Sequence, residues 1–141
     1  MPSILCFPFR FPGLDEVQCL FTTRVARTRS GEPASANLAR SAPGGEREAA
    51  GNIAELQQEH GFGAWREIRQ VHGTGITFLE DVSEENLPPT GDALATSLAD
   101  QALAIKVADC QPVLLAHASG RAIAALHVGW RANRADAPGL W

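Results

Sequence analysis

The order of apolar and polar positions divides the first half of the chain into a strand, a loop and a helix. Residues 17–25, VQCLFTTRV, are rich in β-branched and aromatic side chains, which predicts a strand. Residues 26–45 accumulate Gly, Pro, Ser and Asn and keep no apolar period, which predicts a long loop. Because long ordered loops are often functional, this loop is also a candidate for binding residues.

The clearest helical pattern in the sequence follows that loop. The positions at helical spacing are Ala49, Ile53, Leu56 and His60. Glu46 and Glu48 fall in the first turn, where their charges match the helix dipole, and Gly61 stands where a helix ends. The sequence therefore predicts a helix that ends at His60.

The second half has mainly the pattern of β-strands. Residues 64–82, AWREIRQVHGTGITFLEDV, predict a hairpin-like pair of strands interrupted at HGTG, and the acidic, proline-containing residues 83–91 predict a surface loop. From Asp92 on, apolar runs at 102–108, 112–118 and 121–128 predict further strands, with Ser119 and Gly120 forming the turn between the last two. The predicted fold class is α+β, mostly strands with one clear helix.

Composition places the chain among ordinary globular proteins. It has 141 residues, 45% hydrophobic and 20% charged, which predicts a single domain over residues 1–141. A net charge of −4 argues against nucleic acid as a partner, because binding to a phosphate backbone usually needs a basic excess. The sequence has no apolar stretch near the ~20 residues of a membrane span, so a membrane partner is not expected.

Cysteine usage predicts a reducing compartment. The three cysteines are an odd number and form no CxxC pair, so a disulfide framework is not expected. The N-terminal apolar run is short, is broken by Pro8 and has no preceding basic region, unlike a secretory signal peptide. We therefore expect a cytoplasmic protein.

Three residues that ligate metals stand at junctions between apolar runs and turns: His72 in QVHGTG, Cys110 in ADCQPV and His127 in LHVGWR. They are too far apart for a local zinc knuckle, so they would have to meet through tertiary structure. Two imidazoles and a thiolate suit zinc, and three protein ligands leave the fourth tetrahedral position for water or substrate. From spacing alone, burial of a structural cysteine and histidine remains the alternative.

The other polar residues near these motifs can be explained by a structural role as well as by a functional one. Asp109 either orients a ligating imidazole or caps a turn. His117 lies near the Ser119–Gly120 turn and is expected at the surface, and His60 completes the helix with a favourable dipole interaction.

The successive motifs QVHGTGI, GDALAT, LAIKVADCQPVLL and GRAIAALHVGWR resemble those of the laccase-domain family. Its members are known as multicopper polyphenol oxidases and are associated with purine nucleoside phosphorylase and adenosine deaminase activity. FTTR and ASANL in the first half resemble the family's N-terminal strand and following loop. The resemblance implies layered mixed β-sheets with flanking helices. Family members continue well beyond these motifs, so we expect this chain to be C-terminally truncated and to hold only the N-terminal part of the family domain.

The resemblance also implies a site and an activity. The family's zinc ligands fall on His72, Cys110 and His127, while Arg24 in FTTR and Asn37 in ASANL are expected near the substrate, with Arg24 the candidate for phosphate. The implied function is a zinc-dependent purine nucleoside phosphorylase that also deaminates adenosine, with adenosine, inosine, guanosine and methylthioadenosine as substrates. From the residues themselves, Asp109 and His127 are the candidates for proton transfer, although one histidine cannot be both a zinc ligand and a free base. Purine nucleosides and phosphate are the implied small-molecule partners.

Three alternatives stay open at this stage. Cys110 could be the nucleophile of a thiol hydrolase with a histidine as base, in keeping with the peptidoglycan editing linked to some relatives. A copper-dependent polyphenol oxidase is disfavoured, because several coppers need many imidazoles and the chain has four histidines. An inactive fragment is the third alternative. A truncated domain would expose apolar strand edges, so we also expect self-association.

Overall fold

Mixed β-sheets and one helix build the part of the chain that the computed structural model describes, residues 3–40, 43–83 and 88–134. The α+β class is therefore confirmed. The described residues divide into two compact units, one up to Gly63 and one from Ala64 on. A single domain over residues 1–141 stays a prediction. None of the helices in these described ranges has the length and apolar character needed to cross a membrane.

The first unit contains an antiparallel three-stranded sheet. Its strands are β1 (Ser3–Arg10), β2 (Gln18–Arg27) and β3 (Pro33–Ser35), in the order β1-β2-β3. β2 confirms the predicted strand. β1 was not predicted, because apolar residues occupy successive positions in it and hide the two-residue period. β3 corrects the prediction of an uninterrupted loop over residues 26–45, since it pairs with β2 through its backbone.

The predicted helix is confirmed as α1 (Glu46–His60). Gly61 ends it in the left-handed conformation, φ 71°, and its N–H donates to the Gln57 carbonyl at 2.9 Å. Its buried residues are Ala49, Asn52, Ile53 and Leu56. The Asn52 amide donates to the carbonyl oxygens of Ser35 and Asn37, at 3.4 and 2.9 Å, so the helix anchors the chain that follows β3.

The second unit contains two sheets. β4 (Ala64–Glu67) pairs in parallel with β7 (Gln101–Ala104). β5 (Ile76–Phe78), β6 (Ala93–Thr96), β8 (Gln111–Ala116) and β9 (Ile123–Val128) form the second sheet in the order β5-β6-β9-β8. A single 3₁₀ turn, Leu79–Asp81, follows β5. β8 and β9 form the predicted antiparallel hairpin.

The predicted hairpin over residues 64–82 is wrong. Both segments are strands, but β4 pairs with β7 and β5 pairs with β6, each in parallel and in different sheets. In the segment between them, Ile68 is buried in a core cluster with Leu79 and Leu94. Of the surface loop predicted over residues 83–91, residues 84–87 lie outside the described residues.

The four-stranded sheet of the second unit packs on small and branched side chains. Ala93, Leu126, Val128 and Ala132 form one buried cluster, so β6 and β9 face the same core. Asp92 directly precedes β6 and is fully buried, and His127 lies within β9 and is 2% exposed. Each of these two buried polar side chains needs a hydrogen-bonding partner.

A surface carboxylate beside this sheet gives a direct test of the structure. Glu80 accepts hydrogen bonds from the Ser97 hydroxyl, at 2.7 Å, and from the Ser97 N–H, and these bonds lower the pKa of Glu80 from 4.5 to about 2. Because the pKa is lowered, this stabilisation is complete above pH 4.5 and is lost as the pH falls toward 2.

We predict that NMR titration of the Glu80 carboxyl gives a pKa near 2 and that Ser97→Ala raises it toward 4.5. A Glu80 pKa near 4.5 in the unaltered protein would contradict these hydrogen bonds.

Candidate metal centre

The fold brings His72, Cys110 and His127 together. His72 lies between β4 and β5, Cys110 immediately precedes β8, and His127 lies in β9. Because Gln111 pairs with Val128 and Pro112 with His127, the antiparallel register places Cys110 at the end of β9 that leads to Gly129. One nitrogen of each imidazole and the Cys110 sulfur all lie within 4.8 Å of one another. Within the described ranges, no other group of three or more His, Cys, Asp or Glu side chains is placed to hold a metal.

The orientation of the His127 ring is set by Asp92. His127 Nδ1 lies 2.8 Å from Asp92 Oδ1, and both side chains are buried. Burial raises the pKa of Asp92, but hydrogen bonds from His127 and from the Gly73, His72 and Val71 N–H groups outweigh it, so the net pKa is lowered. An ionised Asp92 can only accept, so Nδ1 of His127 carries the proton and Nε2 keeps the lone pair that a metal needs.

His72 stands in an uncommon backbone conformation. Its φ is 59°, in the left-handed region that non-glycine residues rarely occupy. Its ring meets the His127 ring edge to face, with centroids 4.7 Å apart. His72 is exposed and His127 is buried, so the candidate site extends from the solvent into the protein interior.

The Cys110 thiol lies beside a second carboxylate. Partial burial raises its pKa, and the negative charges of Asp109 and Asp92 raise it further. Asp109 is exposed, with Oδ1 3.9 Å from the sulfur. Without a bound cation, Cys110 is therefore mainly a thiol at neutral pH, whereas coordination to a metal would deprotonate it.

The space between the three side chains fits a metal ion. Around a tetrahedral zinc ion, with Zn–N about 2.0–2.1 Å and Zn–S about 2.3 Å, ligand atoms would lie about 3.3–3.6 Å apart. The three ligand atoms lie within 4.8 Å of one another, so they would have to move only a short distance closer together to bind such an ion. Gly129 keeps this space open: a Cβ there would lie 3.2 Å from His72 Cδ2, 3.6 Å from Cys110 Sγ and 3.8 Å from His127 Cε1.

Three of the remaining predicted residues belong to the first unit, and His117 belongs to the second. Arg24 is exposed in β2, and Asn37 follows β3 in the first unit, where its Oδ1 accepts a hydrogen bond from the Ala39 N–H at 2.9 Å. Their contact with substrate stays a prediction. His117 is exposed, as expected, and its Nδ1 lies 2.8 Å from the Ser119 hydroxyl oxygen. His60 is the last residue of α1.

Asp92 is a residue of the candidate site that the sequence patterns missed. Orienting an imidazole was one of two alternatives for Asp109, the other being a turn cap. The carboxylate beside His127 is Asp92, and Asp109 lies beside Cys110. The available signal was the position of Asp92 in GDALAT, directly before a buried apolar strand. A buried carboxylate beside an apolar strand needs hydrogen-bond donors, and a histidine ring is a suitable donor.

The fold and these side chains define a protein with a candidate three-ligand metal centre. The sequence matches a family model described as multi-copper polyphenol oxidoreductase laccase over residues 18–137. Because the match covers most of the chain, the protein belongs to this laccase family. A crystal structure of a Neisseria meningitidis protein superposes with a TM-score of 0.71 at 29% identity, covering 89% of this chain and 50% of that one.

Relatives in other bacteria are named purine nucleoside phosphorylase. The protein from Deinococcus radiodurans is 36% identical over 124 residues, covering 86% of this chain and 47% of the relative. The Corynebacterium glutamicum protein is 31% identical over 116 residues, covering 80% and 47%. The chain thus spans about half the length of these relatives.

Gly129 provides a test of the described geometry. We predict that Gly129→Ala displaces the His72 imidazole by a few tenths of an ångström, because the new methyl group would lie within 3.2 Å of it. The displacement should shift the ring resonances of His72 in a carbon–proton NMR spectrum. Gly51→Ala is the matched control, since a Cβ at this exposed position of α1 meets nothing within 4 Å. Unchanged His72 resonances in Gly129→Ala would contradict the packing around the site.

Proposed function

We propose that this chain carries the zinc centre of a purine nucleoside phosphorylase that also deaminates adenosine. The observation that carries the proposal is the convergence of His72, Cys110 and His127 on one point. The names of the relatives support the reaction class. The proposed substrates are phosphate and purine nucleosides: adenosine, inosine, guanosine and methylthioadenosine. A cytoplasmic location belongs to the same proposal.

Zinc suits the donor set better than copper. Two neutral imidazoles and one thiolate are ligands that zinc accepts in catalytic sites with one open position. All four histidines of the chain lie within the described ranges, and two of them, His60 and His117, lie outside the cluster. A multi-copper cluster needs more imidazoles than the chain supplies, so the family description does not fix the metal.

The two proposed reactions share one nucleoside pocket and differ in the bond that breaks. Bound at the three ligands, zinc supplies a Lewis acid that brings the pKa of water toward neutrality. In deamination, water adds to the purine carbon that bears the amino group, and ammonia leaves. In phosphorolysis, a phosphate oxygen bonds to the ribose C1′, the bond from C1′ to the purine nitrogen breaks, and the purine takes up a proton. The protein contributes mainly by orienting these reactants.

Individual residues receive roles within this proposal. Asp109 is the candidate for proton transfer, because it is exposed beside Cys110, while His127 already uses Nδ1 for Asp92 and would use Nε2 for the metal. Arg24 is the candidate for phosphate, because a guanidinium binds an oxyanion with two parallel hydrogen bonds. Asn37 is the candidate for the nucleoside.

The thiol hydrolase is the second candidate function. The proximity of Cys110 to two histidines favours it, since a nucleophilic cysteine needs a neighbouring base. The raised pKa of Cys110 weighs against it, because reactive cysteines have a lowered thiol pKa. A metal that deprotonates the thiol removes this conflict, which favours the zinc centre.

The proposal is tested with zinc analysis and a nucleoside assay on the same protein preparation. We predict about one zinc ion per chain and, with adenosine and phosphate, formation of adenine with ribose 1-phosphate and of inosine with ammonia. Cys110→Ala should lose the zinc and lower both rates by about 100-fold or more, an effect typical of removing one stabilising group from a catalytic site. Cys6→Ala is the matched control, because Cys6 is a free cysteine that does not belong to the group of His72, Cys110 and His127, and this variant should keep the zinc.

The outcomes separate the alternatives. Metal-free protein that hydrolyses an amide or peptide precursor at full rate, and loses this activity in Cys110→Ala, would replace the zinc proposal with the thiol hydrolase. Zinc-loaded protein that forms no purine product would favour the inactive fragment. Bound copper with oxidation of a polyphenol would restore the oxidase.

A further inference from the structure

Four N–H donors converge on the carboxylate of Asp92. Oδ1 accepts from the His72 N–H at 2.9 Å and from His127 Nδ1 at 2.8 Å. Oδ2 accepts from the Gly73 N–H at 2.7 Å and from the Val71 N–H at 3.4 Å. The side chain is fully buried. An ionised carboxylate is the side chain that accepts at both oxygens without offering a donor, so it matches this environment fully.

One side of this arrangement holds His72. Three successive N–H groups, from Val71 to Gly73, point at one anion, which is the geometry of a backbone nest. His72 stands in its middle with φ 59°, a left-handed conformation that is energetically unfavourable for a non-glycine residue. Hydrogen bonds to a charged group are strong enough to offset that cost. Asp92 therefore stabilises the backbone conformation that carries the first ligand.

The other side of the arrangement holds His127 in two places. Its ring Nδ1 binds the Asp92 carboxylate, and its backbone N–H donates to the Asp92 carbonyl oxygen at 2.7 Å. Asp92 is itself fixed, since its N–H donates to the Gly75 carbonyl at 2.9 Å. Both the ring and the backbone of His127 are thus hydrogen-bonded to Asp92, the residue that also binds the loop carrying His72.

We infer that Asp92 is a positioning residue that assembles the metal centre before metal binds, by fixing the left-handed backbone of His72 and the Nδ1–H tautomer of His127 at once. This inference rests on the proposed zinc centre but not on any turnover of nucleosides. A purely structural buried carboxylate would stabilise the fold without selecting a tautomer or setting metal affinity.

The first test uses the unaltered, metal-free protein. A long-range nitrogen–proton NMR spectrum of the histidine rings should show His127 as a single Nδ1–H tautomer, with Nε2 unprotonated. The His72 amide proton should exchange slowly with solvent, although the His72 side chain is exposed. A proton on Nε2 of His127, or a mixture of tautomers, would overturn the inference.

The second test uses Asp92→Asn, which keeps the size of the side chain but offers one accepting oxygen and an NH₂ group. At least two of the four donors then lose their acceptor. We expect the affinity for Co²⁺, measured by the absorption of its thiolate complex, to fall about 10- to 100-fold, and the metal-free His127 ring to lose its single tautomer. Asp81→Asn, the same chemical change on an exposed residue after β5, should bind Co²⁺ within about twofold of the unaltered protein.

A folded Asp92→Asn variant that binds Co²⁺ as tightly as the unaltered protein would overturn the inference. Circular dichroism establishes folding, and if the variant does not fold, the tautomer in the unaltered protein still decides. Failure of the proposed function would look different: the unaltered protein would form no purine product, while the tautomer and the effect of Asp92→Asn on Co²⁺ affinity stayed as expected.

Discussion

A carboxylate that is buried in an apolar environment must be surrounded by hydrogen-bond donors, and the donors that surround Asp92 belong to two separate segments of the chain. One segment carries His72 and the other carries His127. Satisfying this single anion therefore fixes two of the three candidate ligands. Cys110 comes into place differently, because the register of the β8–β9 hairpin sets its position.

The elements with a strong local pattern could be predicted from the sequence. α1 has an apolar stripe, an acidic first turn and a terminal glycine, and each of these signals acts within a few residues. The β8–β9 hairpin has a short turn between two apolar runs. The parallel pairings could not be predicted, because the partners of β4 and β5 lie far along the chain and leave no mark on spacing. β3 is held by backbone hydrogen bonds to β2, which are independent of side-chain type.

The candidate site was predictable in part for the same reason. His72, Cys110 and His127 are chemically distinctive residues at the ends of apolar runs, so their types and positions made a metal centre one of two alternatives, and the resemblance to the laccase-domain family favoured it over structural burial. Asp92 has no such signal, because an aspartate before a strand is also an ordinary turn residue. Its role depends on the N–H groups of Val71, His72 and Gly73, and backbone geometry of this kind becomes visible only in three dimensions. The left-handed conformation of His72 was hidden for the same reason.

The proposed function depends on the binding of zinc by His72, Cys110 and His127. X-ray absorption at the zinc edge of the zinc-loaded protein tests it most directly. We expect one sulfur at about 2.3 Å and two imidazole nitrogens at about 2.0–2.1 Å from the zinc ion, with one further oxygen or nitrogen ligand completing four-coordination. A zinc ion bound only by nitrogen and oxygen, or imidazole scattering that persists unchanged when His72 and His127 are both replaced by Ala, would contradict it.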